Sequence, residues 1–175
     1  MKKLSIIFLI VNLIASCTSK NELSKEEASN ILKQNNHYPL VIDYDIYCSD
    51  PEFAKKAIDA GLEQQGLVTI RQTQKLADVG KPLIEFTDKA KPYLIPTPEK
   101  DRKLDIQKVK LADEDLVDVT GIKIMEDGKQ AIADYTTAYK NVSGFAALAK
   151  NMNNQTATRK AYFTLYDDGW KLEKK

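Results

Sequence analysis

One histidine and two cysteines among 175 residues leave most catalytic and metal chemistries without their usual side chains. His37 and Cys48 cannot by themselves build a zinc site. Asp43, Asp45, Asp50 and Glu52 look superficially like a calcium loop, but the glycine and the closing glutamate of an EF-hand would fall on Cys48 and Ala54. None of the seven glycines belongs to a phosphate-cradling loop. A surplus of one charge is missing too: 26 basic side chains face 25 acidic ones. That balance courts neither nucleic acid nor an anionic membrane surface. No apolar run reaches the ~20 residues of a bilayer-spanning helix. These absences predict a protein without metal or cofactor, and with no nucleic-acid partner.

What is present begins at Met1. Lys2 and Lys3 precede a nearly unbroken apolar run from Leu4 to Ile14, and Ala15-Ser16-Cys17 follows. A charged start, a short greasy core and a small-residue exit form a secretory signal peptide over residues 1–16. Ile14-Ala15-Ser16-Cys17 resembles the lipobox of bacterial lipoproteins, with Ile14 where leucine is commonest. The resemblance implies that Cys17 is diacylated, cleaved free and acylated again. The mature chain would then be held to a membrane through Cys17, with residues 17–23 as a lipidated tether. Thr18 after the cysteine, rather than aspartate, implies the outer membrane, facing the periplasm. With Cys17 acylated, Cys48 is the only thiol and no intrachain disulfide can form. It reads as a small buried hydrophobe.

The remaining chain predicts an α+β fold with two regions joined by a linker. In residues 24–95, Ser24-Lys25-Glu26-Glu27 is a capping box that opens a helix to about Gln34. Leu40–Tyr47 has strand composition. Asp50-Pro51-Glu52 opens a second helix whose predicted end is Gly66. Leu67–Arg71 and Leu83–Phe86 read as antiparallel strands. Gly66-Leu67-Val68, followed by strand, loop, strand and Phe86–Leu94, resembles the winged-helix domain of bacterial regulators. Residues 96–103, with two prolines at Pro96 and Pro98 and several charges, read as the linker.

Residues 104–175 read as an antiparallel meander. Val117 and Val119 alternate with polar neighbours, Gly121 shifts the phase, and Ile122 and Ile124 resume it, the signature of a β-bulge. Turns are expected at Glu126–Lys129 and Asp167–Gly169. The last phrase, Tyr166 to Leu172, resembles the closing hairpin of cystatin-like and NTF2-like lipoproteins.

Candidate chemistry is sparse. A thiol catalyst would pair Cys48 with His37, eleven residues away, with Asp43, Asp45 or Asp50 orienting the ring. Asp113-Glu114-Asp115 and Asp167-Asp168 read as solvated turns rather than acid–base pairs. The helix around Glu52–Gln65 nets negative, which argues against a DNA-reading role. Tyr135, Tyr139, Tyr162, Tyr166 and Trp170 fall on strands expected side by side, as a candidate ligand or partner surface or as a packed ladder. The function these features predict is a non-catalytic binding or assembly module of the cell envelope. The alternatives are a periplasmic immunity or inhibitor protein, or a cysteine-dependent envelope enzyme.

Overall fold

Helix α1, Lys25–Asn36, starts where the capping box places it. The Ser24 hydroxyl accepts the Glu27 backbone N–H at 3.1 Å, which satisfies one orphan donor of the first turn. His37 ends the helix in the left-handed region at φ 54°. The computed structural model that gives this geometry describes residues 22–73, 75–149, 152 and 156–174. The leader and Cys17 lie outside the described residues.

Strand β1 covers Leu40–Tyr47, and helix α2 covers Pro51–Asp59. The Asp50 carboxylate caps α2 by accepting from the Glu52 N–H at 2.7 Å. The helix ends earlier than expected, at Gly61 instead of Gly66. Gly61 takes φ +67°, its N–H reaches Ile58, and the Leu62 N–H reaches back to Ala57. That pair of bonds is a Schellman ending, and it turns fully buried Leu62 into the core. A glycine that would merely weaken a helix interior here stops the helix.

Short strands β2 (Val68–Ile70) and β3 (Ile84–Phe86) pair antiparallel, as their composition predicts. A 3₁₀ turn over Asp88–Tyr93 leads to strand β4 (Leu94–Ile95) and the one-turn helix α3 (Glu99–Arg102). Then comes β5, Ile106–Ile124, nineteen residues in one strand. Strand β6 is Gln130–Lys140, a 3₁₀ turn covers Gly144–Leu148, β7 is Ala157–Tyr166 and β8 is Gly169–Leu172. The main sheet is antiparallel and curled, in the order β1-β5-β6-β7-β8, with β4 also on β5. The pairing of β5 with β6 slips between Val119 and Gly121, so the bulge expected at Gly121 is present.

Two hydrophobic clusters flank the long strand. The first gathers Ile46, Ala57, Leu62, Val68, Ile84, Val109, Leu111 and Phe145 under α2 and the β2–β3 ribbon. The second packs Ala28 and Leu32 of α1 against Leu116, Val119, Ala133, Phe163 and Trp170. This division corrects the expected boundaries. Residues 24–95 do not stand apart from 104–175, because β1 pairs with β5 from Leu40↔Glu114 to Tyr47↔Ile106. The winged-helix arrangement is not confirmed: α1 and α2 belong to different clusters, with a sheet strand between them. Residues 96–103 are not a free linker. The Thr97 hydroxyl accepts the Lys108 N–H at 2.9 Å, and the Gln107 amide donates to the Ile95 carbonyl at 3.0 Å.

Candidate functional site

Strand β1 keeps apart the two residues a thiol catalyst would need. His37 closes α1 before the strand, and Cys48 follows Tyr47 beyond it. Eight strand residues at ~3.3 Å each hold them about 25 Å apart, so no Cys48–His37 dyad forms. Cys48 is 7% exposed, and its thiol donates to the Ile46 carbonyl at 3.6 Å. Burial, and after it the nearby Asp105 carboxylate, push this thiol up to about 11. A group so protonated is a poor nucleophile near neutrality. Alkylation of native protein at pH 8 is therefore expected to be slow, reaching the rate of a free thiol only in denaturant. Rapid native labelling would contradict this.

Cys48 shares an alkaline dependence with Tyr38, whose phenol is pushed up to about 12 by burial and by its hydrogen-bonded neighbour Tyr135. In the unfolded chain these groups ionise near their reference values of ~8.5 and ~10. Folded, they keep their protons longer, so the stability they support is fully present below about pH 8.5 and declines as pH rises toward 11–12. Urea unfolding at pH 8, 9.5 and 11 is expected to show that decline, and Cys48→Ala should flatten its lower part. A stability independent of pH across this window would count against both assignments.

The densest polar group is one that reading the chain misplaced. Asp113, Glu114 and Asp115 are not in a turn but in the middle of β5, and Asp113 and Glu114 are buried. The Arg159 guanidinium on β7 donates to Glu114 Oε1 at 2.5 Å and to the Thr137 hydroxyl at 3.2 Å. Tyr135 stands opposite Arg159 on β6. Next to them the Lys110 ammonium and the Asn141 amide donate to Asp113 Oδ2 at 2.7 and 2.8 Å. Those bonds, the Lys110 one foremost, hold the Asp113 carboxyl below its ordinary range. Asp115 pairs with Lys140 at 2.7 Å. Each group satisfies itself internally, Asp113 on one face of β5 and Glu114 on the other, so they read as polar stitching between neighbouring strands rather than an acid–base pair facing substrate. Asp167 and Asp168 do lie in an exposed turn, with Asp168 paired to Lys171.

The five aromatics divide between two faces. The β6–β7 and β7–β8 registers run without a slip, and directly opposed residues share a face. Tyr135 and Tyr139 on β6 therefore lie on the same face as Trp170, through Arg159 and Leu165. Tyr162, opposite Ile132, and Tyr166, opposite Gly169, lie on the other. Tyr135 and Trp170 are buried in the second cluster, whereas Tyr166 is 56% exposed. A single aromatic groove is ruled out by the two-residue period of β7.

What remains open near this set is a shallow cleft of about 340 Å³ between α1 and the β7–β8 turn. Glu27, Asn30, Gln34, Asp168 and Trp170 line it. Trp170 Nε1 is the only buried side-chain nitrogen or oxygen among the described residues without a hydrogen-bond partner. A second cleft of about 410 Å³ has Cys48, Ile84, Phe86, Arg102 and Gln107 in its walls. Among the described residues no helix is long and apolar enough to cross a membrane. Among the same residues no three His, Cys, Asp or Glu side chains are grouped to hold a metal ion. No protein-family model matches the chain, and neither a curated protein nor a solved structure matches it significantly.

Proposed function

We propose that this chain is a membrane-tethered, non-catalytic binding or assembly module of a bacterial cell envelope, held by acyl chains on Cys17. The observation that carries the reading is the N-terminal pattern: Lys2-Lys3, the apolar run Leu4–Ile14, then Ala15-Ser16-Cys17. Two or more acyl chains, at ~0.8 kcal/mol per buried methylene, are enough for stable attachment. The start of the folded domain fits a short tether, because Leu23 is already buried at 4% exposure in the second cluster. Residues 18–22 would then span at most ~17 Å, keeping α1 and the β7–β8 turn near the bilayer. A binding role is supported by the cleft beside Trp170, whose walls include the amide and carboxylate side chains of Asn30, Gln34, Glu27 and Asp168.

Cys17→Ser is expected to abolish acylation and leave a larger precursor that keeps the apolar leader Leu4–Ile14, without changing the fold of the domain. Mass spectrometry of the wild-type N-terminal peptide should find it acylated and beginning at Cys17. Intact, unacylated precursor in the cytosol would sink the proposal.

A further inference from the structure

Among the described residues the path of the curled sheet ends in β1 and β8, with the two-residue β4 as a further short edge on β5. β8 is four residues long and carries Lys171, a short and charged edge of the kind that discourages pairing. β1 is eight residues long and hydrogen-bonds only to β5. Among the described residues, nothing besides β5 hydrogen-bonds to the backbone from Leu40 to Asp45. Leu40 and Val41 are 41% and 46% exposed. At the far end the Phe53 ring packs on the side chains of Tyr47 and Tyr44, at 4.8 and 6.2 Å.

The charge along this strand is unbalanced. Asp43 and Asp45 share one ammonium, that of Lys108, at 3.1 and 2.8 Å. Lys110, directly opposite Asp43, is engaged by Asp113 instead. The outward row of β1 therefore presents two carboxylates against one cation, beside unpaired backbone groups. We propose that the edge of β1 from Leu40 to Asp45 accepts an extended segment of a partner protein as an added strand, with basic residues opposite Asp43 and Asp45 and an apolar residue opposite Val41. Main-chain bonds would supply the attachment, and the alternating side chains the choice of partner. A second copy of this chain is the wrong occupant. Two antiparallel β1 edges paired about Tyr44 would set Asp43 opposite Asp45, and like charges directly opposite are destabilising. The carboxylates thus act twice, repelling self-association and admitting a basic strand. None of this depends on the lipid anchor.

The test uses the purified full chain and two labelled peptides, Thr-Lys-Thr-Lys-Thr-Val, which added antiparallel sets its lysines opposite Asp45 and Asp43 and its valine opposite Val41, and the counterpart with glutamate for lysine. At low salt the basic peptide is expected to bind at least about tenfold tighter than the acidic one, and to weaken as salt rises. Hydrogen exchange should slow at Leu40–Asp45. Methylating the peptide nitrogens on its pairing edge should abolish binding. Asp43→Lys with Asp45→Lys should reverse the preference, and the comparison of peptides on unaltered protein stands even if that variant folds poorly. Equal or absent binding, protection elsewhere, or self-association through β1 would each overturn the proposal.

Discussion

Phe145→Ala is expected to cost about 3–5 kcal/mol of unfolding free energy, the range for removing a fully buried phenylalanine. The ring is 0% exposed and plugs the first cluster from the 3₁₀ turn Gly144–Leu148, with Phe86 and Tyr93 at 6.1 and 6.3 Å. The turn has little room to follow a shrinking side chain. The Ser143 N–H donates to the Leu111 carbonyl at 2.8 Å, and its hydroxyl donates to the Lys110 carbonyl at 2.6 Å. A Cβ on Gly144 would already collide with the Gln65 amide and the Leu67 methyl. Collapse around the lost ring is therefore resisted, and a cavity remains. Thermal melts should fall by roughly 10 °C for a chain of this size. Native alkylation of Cys48, in the same cluster, should accelerate. A loss below about 1 kcal/mol would show that the cluster repacks freely.

Arg159→Ala is expected to destabilise by about 2–3 kcal/mol, below the ~3–5 typical of a fully buried pair, because the guanidinium is partly exposed. Its side chain is 44% exposed and that of Glu114 only 9%. The asymmetry sets the direction. Removing the arginine leaves a buried carboxylate without its cation, whereas removing the glutamate leaves a cation that water reaches. Glu114→Gln alone should therefore cost less, and combined with Arg159→Ala it should recover much of the loss. A double-mutant cycle by urea unfolding measures the coupling. Additive single and double effects would mean that the 2.5 Å contact contributes nothing beyond its separate parts.

Local elements were legible because their signals are local. Ser24 and Asp50 accept from the N–H groups that capping chemistry assigns them, the strands end near their glycine turns, and Gly121 marks a real bulge. Val117–Ile124 reads as a stretch of its own, yet it is the end of one nineteen-residue strand, Ile106–Ile124. Asp113-Glu114-Asp115 hid that continuity. Three acidic residues in a row read as a turn until partners appear, and apart from Lys110 the partners are far away: Arg159 lies 45 residues from Glu114, and Asn141 lies 28 from Asp113. No signal near residue 114 could have named them.

The aromatic surface failed for a different reason. That the C-terminal strands lie side by side was readable, but which residues share a face depends on register, and a one-residue offset sends a side chain to the opposite face. Tyr162 and Tyr166 fall on the wrong parity to join Tyr135 and Trp170.

The order of residues alone determined the helix starts, the turns, the alternation of the last strands, the near-neutral charge and the expectation of an acylated Cys17, since each rests on neighbours a few positions apart. Tertiary structure alone decided that β1 belongs to the same sheet as the C-terminal strands, and that buried acids in β5 meet Arg159 and Asn141. Those outcomes turn on pairings between distant segments. Their free energy comes from burying and matching groups that only the folded chain brings together.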